Sequence, residues 1–291
     1  MHCSAPGPYR KLQTMIERRL LDSRSLPLIC TLILCVTAPR CYAQGPSPAA
    51  ISAYNSYVRA VESRLAIQHR SRTDFLVVSA ASPQSRRQLR HGGLIIEQLT
   101  PADGLALPDA LLHRWRGTAF VPGATAADFT RLMQNYAAYP SVFAPQVTRA
   151  DVIFHHDNQF RIRMRVRQHH VITVVLDATY DVTFGQLDPL HTYSISRSTQ
   201  VAEIDSPGTP SEHALTPSQE HGFLWRQNTY WTCEQRDGGL YIQVESISLT
   251  RAIPYGLGWA VGPFVESVPR DSLEFTLRAV SRALEQQRHR Q

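Results

Sequence analysis

Alternation of apolar and polar residues dominates the middle of the chain. Residues 160–167 alternate without a break between apolar side chains and arginines. Because successive side chains of a strand point to opposite faces, this segment predicts a strand with one buried and one wet face. Similar alternation runs through residues 172–184, 192–204, 223–234 and 240–249. A strand as long as residues 172–184 is usually bent. The set of alternating segments therefore predicts a curved antiparallel sheet.

Shorter segments complete the predicted sheet. Residues 94–99, 112–121 and 151–155 are expected to be strands, while residues 75–78 fit either a short strand or part of a helix. The tetrapeptide Arg236-Asp237-Gly238-Gly239 joins the last two strands. Asp-Gly and Gly-Gly accept the positive φ of tight turns, so a hairpin is predicted there.

Spacing of three and four residues predicts the helices. Residues 51–67 form an amphipathic helix that is expected to brace the main domain. Thr125 is expected to cap a second helix, which ends near Tyr139-Pro140. The last helix is predicted from about Ser272 to Gln286. Its capping-box start is Asp271 with Glu274, and its apolar stripe is Leu273, Leu277, Val280 and Leu284.

Two stretches carry weaker signals. Residues 81–91 are polar and rich in arginine, which predicts a loop. Residues 251–269 are apolar but contain three glycines and three prolines, which predicts an irregular segment before the last helix.

The N-terminus has the pattern of an export signal. Arg18, Arg19 and Arg24 precede an apolar run over residues 26–36, which is too short to span a bilayer. The small residues around Ala43 predict cleavage before Gln44. Cys35 and Cys41 do not fit a lipobox, so a periplasmic or secreted protein without a lipid anchor is expected.

Charge and cysteine content exclude several classes of site. Residues 1–43 carry six of the 30 basic and two of the 24 acidic residues, which leaves a mature chain of net charge +2 and no argument for nucleic acid. Lys11 is the single lysine, so the mature chain has no Schiff-base or P-loop lysine. Cys233 is the one cysteine after residue 43, which excludes an intramolecular disulfide and predicts a buried core thiol.

The element order, together with segments 120–147, 222–254 and 271–280, resembles the START / Bet v 1-like superfamily (SRPBCC, the helix-grip fold), in an exported bacterial branch. The resemblance covers residues 111–286. It implies an α+β fold in which a curved antiparallel sheet of about six to seven strands wraps round a long C-terminal helix. The expected organisation is a signal peptide (1–43), an N-terminal extension with an extra helix (44–110) and a START-like domain (111–291). Members hold lipids, sterols, quinones or polyketides between sheet and helix.

Aromatic and apolar residues are the candidates for lining such a cavity. Trp225 and Trp231 share one parity on a predicted strand, and Met164 lies on the apolar face of residues 160–167. Tyr139 and Phe143 follow the second helix, where they are placed to close the mouth. Trp259 and Phe264 belong to the apolar segment 253–264, which is expected to be a ligand-entry element or a membrane-touching loop. The alternatives are plain core packing for Trp225 and Trp231, packing at the helix end for Tyr139 and Phe143, and a buried loop under the last helix for segment 253–264.

Charged residues and histidines offer weaker candidates. The arginine face of residues 160–167 is explained by solvation and by acidic residues on neighbouring strands. His155-His156 and His169-His170 are adjacent pairs that point to opposite faces, so no metal site and no cofactor are predicted. Glu245, Arg251 and Glu266 are the charged groups nominated for acid–base work in a cavity.

Three functions remain open. A non-enzymatic binder or carrier of a hydrophobic small molecule is favoured, because no catalytic motif is present. A cyclase- or hydrolase-type enzyme needs two titratable groups facing the same cavity. A structural or interaction module needs a collapsed cavity and an exposed basic surface.

Overall fold

The computed structural model describes residues 45–77, 82–101, 104–169, 173–252 and 258–288, and for residues 258–267 it describes the backbone alone. The predicted signal segment therefore lies outside the described residues. The strands are β1 Ile95–Gln98, β2 Leu105–Leu107, β3 Ala110–Pro122, β4 Val147–His156, β5 Gln159–His169, β6 Thr173–Asp188, β7 His191–Asp205, β8 His213–Ala214, β9 Arg226–Arg236 and β10 Gly239–Arg251. The helices are α1 Pro48–Gln68, α2 Pro83–Arg90, α3 Ala126–Gln134, α4 Tyr139–Val142 and α5 Gly258–Arg288, with a 3₁₀ turn at Tyr136–Ala138.

The strands form one antiparallel sheet in the order β1-β3-β10-β9-β7-β6-β5-β4, with β2 paired to β3 and β8 to β7. Register shifts interrupt the β4–β5 and β6–β7 ladders at two places each. Such bulges bend a strand and increase its twist. Seven long strands with a C-terminal helix across their concave face confirm the predicted α+β helix-grip fold. The Asp237-Gly238 hairpin is also confirmed, with φ of 56° and 74°.

The concave face grips α5 through the apolar stripe that the sequence predicts. Leu273, Leu277, Val280 and Leu284 are all 5% exposed or less. Gly117 of β3 has no side chain at the crossing point, and a β-carbon there would overlap Leu277. The close approach of helix to strand therefore depends on this glycine.

The extra helix α1 packs on the opposite, convex face of the sheet. Its buried residues Tyr54, Val58 and Leu65 contact a cluster that includes Tyr230 and Ile247. Ser47 caps the helix by accepting a hydrogen bond from Ala50 N at 3.1 Å. The predicted brace is therefore present, and it covers the outer side of β3, β9 and β10.

Two predictions from composition are wrong. Residues 83–90 are helical instead of a loop, because Ser82 caps the first turn and Leu89 is fully buried. The last helix begins at Gly258 instead of near Ser272, so Asp271 lies inside it. Pro263 and Pro269 lie within this helical span, although an interior proline lacks an N–H donor and crowds the carbonyl four residues before it. For segment 75–78 the expected strand is absent from the described part: residues 75 and 76 are bends, residue 77 is 3₁₀-helical, and residue 78 lies outside the described residues.

Candidate ligand-binding cavity

A cavity of about 240 Å³ lies between the concave face of the sheet and α5. All seven long strands contribute lining residues, and so do α3, the 3₁₀ turn and α4. Pockets for drug-sized ligands measure about 300–1,000 Å³, so this cavity suits a small guest. The sheet positions it because inward-facing residues of every strand converge there while the helix crosses at one end.

One wall of the cavity is aromatic. The ring centroids of Tyr136 and Tyr139 are 4.9 Å apart, and those of Tyr139 and Phe143 are also 4.9 Å apart, edge-on. Tyr139 OH donates to Met133 O at 2.7 Å, which fixes its ring. Trp231 of β9 adds an indole that is 4% exposed. These rings form a rigid apolar surface.

A second wall carries polar side chains in register across the sheet. Across the β3–β10 pair, Trp115 lies opposite Ser246. Ser246 in turn lies opposite Thr229 of β9, and Thr229 lies opposite Ser196 of β7. All four line the cavity. The next row along contains Ser248, Gln227 and Tyr180, where Tyr180 OH donates to Gln227 Oε1 at 3.1 Å. The cavity therefore has a hydrogen-bonding strip on the sheet side.

Charge is missing from the described lining. Its polar residues are serine, threonine, glutamine, tyrosine and tryptophan, and the described residues include no Asp, Glu, Arg or His facing the cavity. Burial raises the pKa of Tyr136, Tyr139 and Tyr180 above the ordinary value for tyrosine. These phenols are therefore neutral near neutral pH, and the described lining holds no group that is ionised there.

Phe223 and Leu224 are the part of the lining that the β8–β9 loop contributes, just before β9 begins. Phe223 is 40% exposed, which places it at the mouth of the cavity. The carboxylate of Glu203, itself 4% exposed, accepts hydrogen bonds from the N–H groups of His221, Gly222 and Phe223. Gly222 has a φ of 81°, which a residue with a side chain rarely adopts. One carboxylate thus holds the edge of the cavity mouth in place.

The structure brings four of the seven predicted residues to the cavity: Trp231, Tyr139, Phe143 and Met164. Trp225 instead packs in the cluster under α1, on the convex face. Its predicted parity is wrong because β9 begins at Arg226, after the Gly222 turn. For Trp259 and Phe264 the side chains lie outside the described part of the chain, as do residues 253–257 of the predicted entry segment.

Glu245, which the sequence analysis nominated for acid–base work in the cavity, does not face the cavity. It lies on the convex face, 2% exposed as a side chain, and pairs with Arg64 at 2.8 Å and Arg114 at 2.6 Å. Arg251 is half-buried at the end of β10 and is not among the cavity-lining residues, and the side chain of Glu266 is not described. The ion pairs that join α1 to the sheet explain why the Glu245 carboxylate is buried, so no catalytic role is needed to account for it.

The outward arginines and the lone thiol are placed as predicted. Arg161 pairs with Asp181 at 2.6 Å and Arg165 with Asp177 at 2.7 Å, on the neighbouring strand. Cys233 is fully buried, which raises the pKa of its thiol. In the described ranges no group of three metal-ligating side chains is found, and no helix there is long and apolar enough to cross a membrane.

The polar strip was not predicted as a row from the sequence. Ser196 and Ser246 occupy inward positions of strands whose predicted alternation rests on their apolar members. The signal that could have revealed the strip is a hydroxyl residue at a cavity-facing position on each of three adjacent strands. These positions line up only when the pairing register of the strands is known.

No family model and no curated protein matches the chain. Among solved structures, a STAR-related lipid transfer protein from Xanthomonas axonopodis matches at 14% identity and a TM-score of 0.41, over 65% of this chain and 98% of that one. A START superfamily protein from Mycobacterium smegmatis matches at 14% identity and a TM-score of 0.38, over 60% and 97%. The Zhui aromatase/cyclase from a Streptomyces species matches at 15% identity and a TM-score of 0.39, over 60% and 94%. Similarity at this level identifies no ligand and no activity.

Proposed function

We propose that the mature chain is an exported binder or carrier of a hydrophobic small molecule, which it holds in the cavity between the sheet and α5. The observation that carries the proposal is the cavity itself, whose wall consists mostly of apolar and aromatic side chains. An enclosed apolar cavity costs stability in proportion to its volume, roughly 24 cal/mol per Å³. A guest that fills apolar space of this kind recovers part of that cost.

Catalysis is the weaker alternative. A cyclase or hydrolase of the expected kind needs a general acid and a general base within reach of one guest. The described lining offers neutral phenols and hydroxyls and no carboxylate, imidazole or guanidinium. The observed wall therefore favours binding over acid–base chemistry.

An interaction module without a ligand is also disfavoured. That hypothesis requires a collapsed cavity, whereas a space of about 240 Å³ is present. It also requires a free basic surface, whereas Arg161 and Arg165 are engaged by acidic residues of the next strand. This pairing engages two of the four arginines on that face with acidic partners.

Export belongs to the proposal through the sequence of residues 1–43. A basic segment, a short apolar run and small residues before Gln44 are the features that support it. A carrier in the periplasm or outside the cell would meet its guest away from the cytoplasm. Transient contact with a membrane surface, proposed for segment 253–264, would supply a route for loading.

Native mass spectrometry of the chain purified from its own host tests the proposal. We expect a co-purified small molecule that is released on denaturation. Ser246→Phe is the matched variant, because it places a ring in the cavity at a half-buried position. This variant should lose the adduct while its circular dichroism is unchanged. An adduct that persists in Ser246→Phe, or no adduct in the parent chain, contradicts the proposal.

A further inference from the structure

The serine and threonine hydroxyls of the cavity strip have no hydrogen-bond partner among the residues that the structure describes. Ser196, Thr229, Ser246 and Ser248 line the cavity, and in the described part of the chain their hydroxyls make no hydrogen bond. The first three are half-buried, so their remaining accessible surface faces the cavity that they line. Hydroxyls that face an apolar space without partners are placed to hydrogen-bond a guest or water.

Two buried donors in the cavity wall point to the same conclusion. Trp115 is 8% exposed and Tyr136 is 2% exposed, and within the described ranges neither Trp115 Nε1 nor Tyr136 OH has a hydrogen-bond partner. A buried donor left unsatisfied costs about 1–3 kcal/mol. Trp115 lies opposite Ser246 in the sheet register, so its indole extends the row of hydroxyl residues onto β3. The wall therefore offers donors for which the described part of the chain supplies no acceptor.

The same wall rejects an ionised guest. A carboxylate or phosphate buried there would find no arginine or histidine among the described lining residues. Burying a charge without a counter-charge costs several kcal/mol, which outweighs the gain from a few neutral hydrogen bonds. The cavity therefore selects against the ionised end of a fatty acid or phospholipid.

We infer that the guest is an uncharged, mostly apolar molecule that carries carbonyl or hydroxyl oxygens along one edge, seated against the strip of Trp115, Ser246, Thr229 and Ser196. The apolar body lies on the rings of Tyr139, Phe143 and Trp231. The oxygenated edge accepts from the indole and exchanges hydrogen bonds with the hydroxyls. This inference rests on the proposed function, because it names the chemical class of guest for that same cavity.

Three fluorescent probes of matched shape test the inference: methylanthracene, anthracenemethanol and anthracene carboxylate, titrated into the mature chain at neutral pH. We expect anthracenemethanol to bind about fivefold more tightly than methylanthracene, the gain from one neutral hydrogen bond. Anthracene carboxylate should bind roughly a hundredfold more weakly than the alcohol.

Variants assign the effect to the strip. Thr229→Val and Ser246→Ala remove hydroxyls at nearly constant shape, so each should lower the ratio of the affinity for the alcohol to the affinity for methylanthracene. Thr183→Val is the control, since Thr183 is an outward neighbour of the lining residue Val182 on β6 and is not itself in the lining. The affinity for methylanthracene reports whether each variant keeps its cavity.

The outcomes separate the two claims. If the carboxylate binds as tightly as the alcohol, or if the alcohol shows no advantage over methylanthracene, the inference about the guest is wrong although the cavity binds. If the variants leave the preference for the alcohol unchanged, the strip is not its source and the inference also fails. If none of the three probes binds, the proposed function itself fails.

Discussion

The carboxylate of Glu203 accepts a hydrogen bond from the backbone N–H of Phe223 at 3.1 Å, and so ties the end of β7 to the mouth of the cavity. The same Oε1 accepts from Gly222 N at 2.9 Å, while Oε2 accepts from His221 N at 2.9 Å and lies 2.8 Å from His221 Nδ1. Hydrogen bonds to a charged acceptor contribute about 1.5–3 kcal/mol each. Residues 221–223 are thus held by one buried side chain.

Replacing Glu203 should loosen the cavity mouth. Glu203→Gln keeps the side-chain shape but weakens acceptance by removing the charge, so the amides of residues 221–223 should exchange with solvent faster. Hydrogen–deuterium exchange with mass spectrometry measures this. Glu212→Gln is the control, because Glu212 accepts from Gly208 in the preceding loop. Unchanged protection of 221–223 in Glu203→Gln would show that the anchor is unimportant.

The ion-pair cluster under α1 should be a main source of stability. Glu245→Ala leaves the half-buried guanidinium groups of Arg64 and Arg114 without their shared carboxylate, and breaking a buried pair costs about 3 kcal/mol. Urea unfolding measures the free energy of unfolding. Glu274→Ala, which breaks the more exposed pair with Arg278, should cost less than about 0.5 kcal/mol. Equal effects of the two substitutions would argue against the cluster.

Gly117 should be intolerant of any side chain. Gly117→Ala places a methyl group against Leu277 and Leu273 of α5, and overpacking of this kind costs about 1–3 kcal/mol. The melting temperature should fall accordingly. Gly45→Ala is the control, because a β-carbon there would lie 3.6 Å from Pro217, an ordinary contact. A melting temperature unchanged in Gly117→Ala would mean that α5 does not press on β3 at this point.

Stability should fall in mild acid through His69. Burial lowers the pKa of His69 from 6.5 to about 4, helped by Arg64 and opposed by Glu245. Because the unfolded chain takes up this proton at the higher pH, the stabilisation is complete above pH 6.5 and is lost as the pH falls toward 4. The loss is about 3 kcal/mol at most.

Urea unfolding at several pH values measures that slope. His69→Gln, which retains a polar group near Thr232, should flatten the dependence between pH 6.5 and 4. His213→Gln, at an exposed position, should keep the slope of the parent chain. Parallel curves for His69→Gln and the parent chain would contradict the assignment.

Residues 160–167 show why much of the fold was readable from the sequence. An unbroken period of two fixes which side chains share a face, and one buried face fixes the strand register. The stripe from Leu273 to Leu284 fixes the gripped face of α5 in the same way. Local periodicity therefore predicted both the sheet and the face of α5 that packs on it.

Trp225 and Ser246 show what periodicity leaves out. The placement of Trp225 depends on the turn at Gly222 and on the anchor Glu203, which is 19 residues away from that glycine. Ser246 belongs to a row that exists only because four strands pair in one register. Such features arise from long-range contacts, which a single sequence does not encode locally.

A crystal structure of the mature chain with anthracenemethanol would show whether the cavity holds a guest. We expect electron density for the probe between the sheet and α5, with its ring on Phe143 and Trp231 and its hydroxyl toward Ser246. Density for protein side chains filling that space, or probe bound elsewhere with the cavity closed, would contradict this expectation.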